Sequence, residues 1–237
     1  MFLDVITEQP TFTGKVMRCL VDGPKSSTEI ASRLGLPKGG NASAALDRLV
    51  EAGLVSRDHG LNPETGKPVR GRRYRMKDNY SRFYLKFIEP VKDIIDDGSY
   101  AFTSLDQLNG MDAVMGLAFE NLIVNHYREL LPRLGLSRAL VKSAAPYVKR
   151  GCPSNGMHGC QIDLLVETEE SCCLVEVKRR NEIGSETVEE MKGKIAALSI
   201  PRGMSVRNAL VYDGRLAATV EASGYFNSII NVRELMF

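Results

Sequence analysis

The spacing of apolar positions predicts a run of helices, then strands, along this chain. A helix is expected over Thr13–Val21, closed by Asp22-Gly23-Pro24. Ser26-Ser27-Thr28-Glu29 reads as a capping box, with Glu29 three residues after Ser26, and opens a short helix through Leu34 that Gly35-Leu36-Pro37 breaks. A third helix follows from about Asn41 to Ala52, with Ala42, Ala45, Leu46 and Leu49 on one stripe and Gly53 at its end. Leu54-Val55-Ser56 begins a strand and Gly71–Met76 returns as its partner. The Asp58–Val69 stretch between them is rich in Gly, Pro and Asn. Tyr80–Ile95 has aromatics at helical spacing (Tyr80, Phe83, Tyr84, Phe87), read as packing between domains, and Asp96-Asp97-Gly98-Ser99 ends it. From Met111 the order reads helix to Leu131, strands over about Ala139–Lys149, Gln161–Glu167 and Cys172–Arg179, helix over about Glu186–Leu198, strand over Val206–Tyr212, and a short strand at Ile229–Val232. Three segments result: 10–78, a bridging helix and linker at 79–110, and 111–237, with no internal repeat or low-complexity tract.

The chemistry concentrates between Gln161 and Arg180. Gln161–Glu167 and Ser171–Lys178 are apolar strands on either side of Thr168-Glu169-Glu170-Ser171, which reads as a tight turn. With Glu169 and Glu170 at the tip, residues whose numbers sum to 339 face each other, so Asp163 lies opposite Glu176 and Gln161 opposite Lys178. Side chains alternate faces, which puts Asp163, Glu176 and Lys178 on one side. Opposed Cβ atoms are roughly 4.5–5.5 Å apart, and like charges there are destabilising. A divalent cation shared by the two carboxylates gives a reason for their presence in an apolar hairpin.

Composition sets the frame. The 237 residues suffice for one large domain or two smaller ones, and 43% apolar with 25% charged residues is typical of soluble globular protein. No apolar run approaches the length of a membrane span, and the acidic start Met1–Glu8 lacks a basic signal-peptide region. A cytoplasmic protein is therefore expected. Cys19, Cys152, Cys160, Cys172 and Cys173 are odd in number and unevenly spaced, as free thiols in a reducing compartment are. Cys152, His158 and Cys160 match no common zinc-site spacing and lack a fourth ligand nearby. Cys172 and Cys173, being adjacent, point to opposite faces of their strand, and packing is the expected role of Cys173.

Net charge is only +2, with 16 Lys/Arg against 14 Asp/Glu in residues 1–110 and 15 against 15 in the remainder. Contact with nucleic acid must then come from a local cluster, and Lys67, Arg70, Arg72, Arg73 and Arg75 form one.

Asp163 followed by Glu176-x-Lys178 on paired strands resembles the PD-(D/E)XK nuclease core, with Ile162-Asp163 in place of the usual Pro-Asp. The resemblance implies a restriction-endonuclease-like α/β domain, in the α-β-β-β-α-β order read above and with a central mixed sheet. It also implies an acidic residue on the upstream helix, a place that Glu120 fills in Gly116-Leu117-Ala118-Phe119-Glu120. Thr28–Leu36 followed by Ala45–Val55 resembles a winged helix-turn-helix. That likeness implies a reader helix offering Lys38, Asn41, Ser43 and Arg48, beside an unfavourable Asp47, and a wing whose Lys67, Arg70, Arg72 and Arg73 lie along phosphates. The winged helix, Asp78–Tyr84, Gly116–Glu120, Gln161–Leu165 and Val175–Lys178, in that order, resemble the C-terminal half of a family of bacterial and archaeal AAA+ ATPases. In that family an ATPase domain precedes the winged helix. Gly14-Lys15, Gly66-Lys67 and Gly193-Lys194 do not continue as a P-loop, so the chain is expected to be a C-terminal fragment or a stand-alone relative.

The expectation is a DNA-binding protein with a Mg²⁺- or Mn²⁺-dependent endonuclease-like domain that hydrolyses nucleic-acid phosphodiesters. Asp163 and Glu176 would hold the metal, with Glu120 as a further ligand. Lys178 would position or deprotonate water or stabilise the phosphate, the base role requiring a depressed pKa. Gln161 would orient substrate or water. An AAA+ ATPase, in cis or in trans, is the expected partner besides DNA, and a homo-oligomer is allowed. The alternatives are a non-catalytic module docking DNA or protein through an inactive nuclease fold, and a winged-helix transcription regulator.

Overall fold

The structure, a computed structural model, describes residues 12–36, 41–69, 71–101, 104–149, 151 and 159–235. It divides into two compact units, Met1–Asp58 with Arg70–Ala118 and His59–Val69 with Phe119–Phe237. The Asp58–Val69 stretch thus falls almost wholly in the second unit, whereas the flanking strands belong to the first.

In the first unit the elements are α1 (Phe12–Cys19), β1 (Lys25–Ser26), α2 (Ser27–Arg33), α3 (Asn41–Glu51), β2 (Val55–Asp58) and β3 (Arg73–Met76). The three strands form an antiparallel sheet in the order β1-β3-β2. The capping box is complete. Ser26 Oγ accepts from the Glu29 amide at 3.2 Å, and Glu29 Oε2 accepts from the Ser26 amide at 2.6 Å. The Ala42, Ala45, Leu46 and Leu49 stripe is buried, the last three of these residues against Val16, Leu20, Ile30, Tyr74 and Met76.

The bridging segment is not one helix. α4 (Asn79–Phe83) is capped by Asp78, which accepts from the Ser81 amide at 2.7 Å; the backbone then widens into a π-type turn over Tyr84–Ile88, tightens over Glu89–Val91, and resumes as α5 (Lys92–Asp96). Pro90 has no N–H to give to the turn before it, which accounts for the interruption. Tyr84 and Leu85 bury into the first unit's core, while Tyr80 is 57% exposed, so the aromatic stripe does not act as one face. Arg82, 1% exposed, donates to the carbonyls of Leu20, Val21 and Met76, at 2.5 Å for Val21 and 3.3 Å for the other two. One guanidinium thereby satisfies carbonyls from the end of α1 and of β3.

The second unit carries α6 (Met111–Asn125, entering this unit at Phe119), α7 (Tyr127–Leu130), β4 (Ser143–Lys149), β5 (Cys160–Glu167), β6 (Ser171–Ile183), α8 (Glu186–Ala197), β7 (Ser205–Leu216), α9 (Ala218–Ala222) and β8 (Ser228–Asn231). The expected helix to Leu131 is split at His126, whose ψ of 27° leaves the helical range. β6 and β7 run longer than their apolar stretches, because their polar ends still pair with each other as far as Ile183 and Leu216. At the irregularity in that pairing Gly214 adopts φ +136 and touches the Arg180 carbonyl, leaving no room for a Cβ.

The sheet order is β4-β5-β6-β7-β8, antiparallel across β4-β5-β6 and parallel across β6-β7-β8. This is a mixed α/β architecture, and α6-β4-β5-β6-α8-β7 reproduces the α-β-β-β-α-β order. Each face carries its own core. Leu164, Val166, Cys173, Val175 and Val177 meet Phe119, Ile123 and Leu130 on one side. Ile162, Leu165, Cys172 and Leu174 meet Val188, Met191 and Val220 on the other. Cys172 and Cys173 therefore pack on opposite faces, as adjacency requires. Gly60 lies against Ala145 and Pro146, and Val69 packs on the second of these cores. No described helix is long and apolar enough to cross a membrane.

Replacing Arg82 by Met should leave several carbonyls at the ends of α1 and β3 without their buried donor. We expect a loss of stability on the order of 3 kcal/mol, measurable as a lower urea midpoint at unchanged slope.

Candidate active site

The site is built on the hairpin of β5 and β6. Leu164, Leu165, Val166 and Glu167 pair with Val175, Leu174, Cys173 and Cys172, the register that places residues summing to 339 opposite one another. Thr168 closes the turn, accepting from the Ser171 amide through Oγ1 at 3.0 Å while its own amide donates to the Ser171 carbonyl at 2.9 Å. Toward Asp163 the ladder gives way to a side chain: Asp163 Oδ2 accepts the Val177 amide at 2.9 Å.

That change has a local cause. On the other edge of β5, Ala145 pairs with Leu165 and Tyr147 with Ile162, so Pro146 of β4 stands against two residues of β5, Asp163 and Leu164. The bulge interrupts alternation, and Ile162 and Leu165, three apart, face the same core. Asp163 sits at this irregularity and is 8% exposed. Gln161 lies beyond it, exposed and paired with Val148 on the β4 edge. Since Cys160 and Ile162 both pack on the α8 side, Gln161 turns to the other face. Period-two counting does not survive the bulge, and Gln161 no longer shares a face with Glu176 and Lys178.

Glu176 is on β6, the middle strand, with no solvent exposure. Its Oε1 lies 2.8 Å from Lys178 Nζ, an ion pair with no hydrogen bond in line, and its Oε2 accepts from Lys194 Nζ at 2.5 Å. Lys178 also donates to Glu190 Oε2 at 2.7 Å. Glu190, Lys178, Glu176 and Lys194 thus form an alternating chain of charges. Glu190 and Lys194 come from α8, four residues apart and so on one face of the helix. α8 is anchored by buried Val188 and Met191 and by Lys149, which donates to the Ala197 carbonyl at 2.6 Å.

Charge and burial set the protonation states. Burial first, then the Glu176 and Glu120 carboxylates, push Asp163 up to about 7, against the opposing pull of Lys194 and the Val177 amide. Glu120, half-buried on α6, is therefore close enough to be felt at Asp163. Burial works to lower the Lys178 pKa, but Glu176 and Glu190 outweigh it and hold the ammonium above its ordinary value. A raised pKa is the opposite of what a general base requires. Lys178 acts here as a fixed positive charge. Glu167, at the turn end of β5, is also raised to about 7 by burial, against the Ser143 hydroxyl and the Leu61 amide.

Lys194 and Glu190 do not stand out in the sequence. The signal was present as an amphipathic i, i+4 Glu–Lys pair on the helix after β6, but only the packing direction of α8 distinguishes it from a solvated one.

The donor set is hard oxygen, which suits Mg²⁺ or Mn²⁺ rather than zinc. Among the described residues no group of three or more His, Cys, Asp or Glu is gathered to hold a metal. Asp163 and Glu176 nonetheless fit, because Mg²⁺ characteristically takes one or two carboxylates and completes its shell with water and substrate phosphate. Cys152 and His158 lie outside the described residues, and Cys160 is half-buried with its thiol pushed up by burial.

The expected nucleic-acid residues separate. Lys38 and Arg70 lie outside the described residues, as does the side chain of Asn41. Ser43, Arg48, Lys67 and Arg72 are exposed. Arg73 is not free to lie along phosphates: it donates to the Pro24 carbonyl at 2.5 Å and pairs with Glu29 at 3.5 Å. Arg75 is buried against Asp58 at 3.2 Å. β3 is the central strand of its sheet, so its side chains meet neighbours on both sides. Asp47 on α3 is taken up by Arg57.

No family profile matches the sequence, and no curated protein does. Solved structures similar to it include protein VC1899 from Vibrio cholerae, at 12% identity and TM-score 0.38 over 94% of this chain and 48% of that one. Another is Can2 from Sulfobacillus thermosulfidooxidans, solved with cyclic tetra-adenylate, at 11% identity and TM-score 0.33 over 97% and 50%. A third is a type III CRISPR defence DNA nuclease activated by cyclic oligoadenylate, at 14% identity and TM-score 0.25 over 94% and 38%. The chain spans about half the length of the first two, and the scores are too low for residue correspondence.

The raised carboxyl of Asp163 makes stability fall as pH climbs. The folded protein keeps this proton to about 7, whereas an unfolded Asp loses it near 3.9, so the native state binds more protons across that window and loses stability as pH rises through it. Asp163→Asn retains an acceptor for the Val177 amide and removes the charge. Thermal melts without divalent ions should show the variant gaining several degrees over wild type at pH 8, at about 2–4 °C per kcal/mol for a chain of this size, and only about a third of that gain at pH 5. An equal gain at both pH values would contradict this account. Glu167 leaves a residual slope in both proteins.

Proposed function

We propose that the second unit is a metal-dependent phosphodiesterase site of the PD-(D/E)XK kind, acting on nucleic acid. The observation that carries this reading is the burial of the Asp163 and Glu176 carboxylates on adjacent strands within electrostatic reach of each other, with the Lys178 ammonium held beside Glu176. Asp163 and Glu176 would hold Mg²⁺ or Mn²⁺, and Glu120 adds a third negative charge within electrostatic reach. The bound ion supplies a more acidic water and a Lewis acid for a phosphoryl oxygen. Lys178 stays protonated and offers its charge to the anionic phosphate as negative charge grows there. Glu190 is a positioning residue for Lys178. Gln161 has no part in this arrangement.

We read the first unit as a winged helix that brings DNA to the site, supported by its helix order and its small antiparallel sheet. Arg48 and Arg72 are the exposed cations offered to phosphates, whereas Arg73 and Arg75 hold the sheet together. The motif order in the sequence supports an AAA+ ATPase as the partner that loads substrate, in cis or in trans. A second reading, an inactive nuclease fold that docks DNA or protein, is favoured by one observation: two ammonium groups already neutralise Glu176.

The deciding measurement is nicking of supercoiled DNA by the full chain in Mg²⁺ and in Mn²⁺. We expect weak cleavage that falls to background in Asp163→Ala and Glu176→Ala. Lys178→Ala should slow it by about 100-fold or more, a larger effect than any it has on metal affinity. Metal binding by wild type without cleavage leaves the site standing and points to the missing loading partner, whereas neither metal binding nor cleavage selects the docking module. In the binding arm, Arg72→Ala should shallow the salt dependence of duplex affinity by about 0.9 in log–log slope. Arg73→Ala should lower the melting temperature instead and leave the slope unchanged.

A further inference from the structure

The chain of charges around Glu176 contains two lysines that are held differently. Lys178 sits between Glu176 and Glu190, at 2.8 and 2.7 Å. It keeps a partner if Glu176 is shared with another cation. Lys194 makes a single ion pair among the described residues, the 2.5 Å contact to Glu176 Oε2. Its side chain is 21% exposed, at the last turn of α8, where a lysine could equally extend into water.

A purely structural role, pinning α8 to the sheet, is already filled. Val188 and Met191 bury the helix, and Lys149 holds its C-terminal carbonyl at Ala197. What Lys194 adds is charge at a defined oxygen. Two carboxylates and a further Glu120 charge lie near one buried point, and Lys194 is near enough to stabilise the ionised form of Asp163 as well. It therefore supplies at Glu176 the positive charge that a cation held by Asp163 and Glu176 would also bring. An ammonium at hydrogen-bond distance from Oε2 and a divalent ion at ligand distance from the same carboxylate repel each other.

We propose that Lys194 is a built-in counter-ion that competes with a divalent cation for Glu176, so that metal enters the site only as Lys194 releases Oε2. This rests on the metal-site reading of Asp163 and Glu176. It makes Lys194 a positioning residue that sets the metal concentration at which the site loads, with its ammonium left beside the carboxylates after release.

The test is Mn²⁺ titration calorimetry on the full chain, without nucleic acid, for wild type, Lys194→Met and Lys194→Arg. Lys194→Met keeps the aliphatic stem and removes the charge, and it should bind Mn²⁺ about tenfold more tightly or better, a difference of about 1.4 kcal/mol. Lys194→Arg should stay within about threefold of wild type. Thermal melts give a second readout. Lys194→Met should be less stable than wild type in chelator, and saturating Mn²⁺ should close the gap. Binding by Lys194→Met alone, with none by wild type, would support the proposal most directly. Equal or weaker Mn²⁺ affinity in a folded Lys194→Met would overturn it while leaving the metal site standing. Absence of binding in all three proteins at millimolar Mn²⁺ would overturn the metal-site reading and this inference with it. If Lys194→Met does not fold by circular dichroism, Lys194→Gln is read by the same criteria.

Discussion

A carboxylate with no solvent exposure, in the middle strand of a five-stranded sheet, imposes conditions on everything around it. Taking Glu176 out of water carries a desolvation penalty of several kcal/mol that only close opposite charge and hydrogen bonds can offset. Those charges cannot come from the sheet alone, because the neighbours of Glu176 on β6 are Val175 and Val177, both buried in the opposite core. Lys178 supplies one cation from the same face of the strand. The other must arrive from the covering layer, so α8 has to present Lys194 to the sheet at one position. The burial of Val188 and Met191 and the Lys149 cap on Ala197 fix that position. The helix after β6 is thus part of the electrostatics of the site as well as of its packing.

The second constraint is the bulge in β5. A regular strand would keep Gln161, Asp163 and Leu165 on one face and would leave Asp163 as a carboxylate pointing squarely at Glu176. With Asp163 and Leu164 set against the single Pro146 of β4, Asp163 is re-aimed and reaches the Val177 amide. That hydrogen bond helps to keep a second carboxylate beside the first. It does not remove the repulsion, which is why burial together with Glu176 and Glu120 still holds the Asp163 proton to about 7. The same irregularity excludes Gln161. A single unpaired residue decides which of two polar side chains on one strand reaches the site.

Most of the scaffold follows from local rules that leave a mark in the sequence. The capping box at Ser26, the Ala42–Leu49 stripe and the hairpin register around Thr168 each depend on residues within a few positions of one another, and each is found as written. The splits at His126 and around Pro90 are the points where long apolar patterns overestimate helix length, since apolar spacing continues through a backbone that has left the helix. What the sequence does not reveal is non-local. The bulge depends on how β4 pairs with β5, and the roles of Glu190 and Lys194 depend on which way α8 lies across the sheet. The fate of the basic cluster is of the same kind. Five cations between Lys67 and Arg75 look like one patch, but the strand through them is central to its sheet, and Arg73 and Arg75 are consumed by Pro24, Glu29 and Asp58.

The two units use charge in contrasting ways. In the first, Arg82 caps carbonyls and Arg75 pairs with Asp58 in nearly complete burial, so these cations stabilise one conformation and have little left to offer a ligand. In the second, Asp163 is buried beside Glu176, and it retains a proton that an ordinary carboxyl would have lost. Local stability is lowered at that point, and such strain is maintained only where surrounding packing over-determines the geometry. Here the packing is two-sided, with separate apolar cores above and below β5 and β6. A sheet covered on one face alone would let water reach Asp163 and relax the repulsion by solvation. The double covering keeps the carboxylates poorly solvated, and the same poor solvation makes an added cation more favourable there than at any exposed acidic pair.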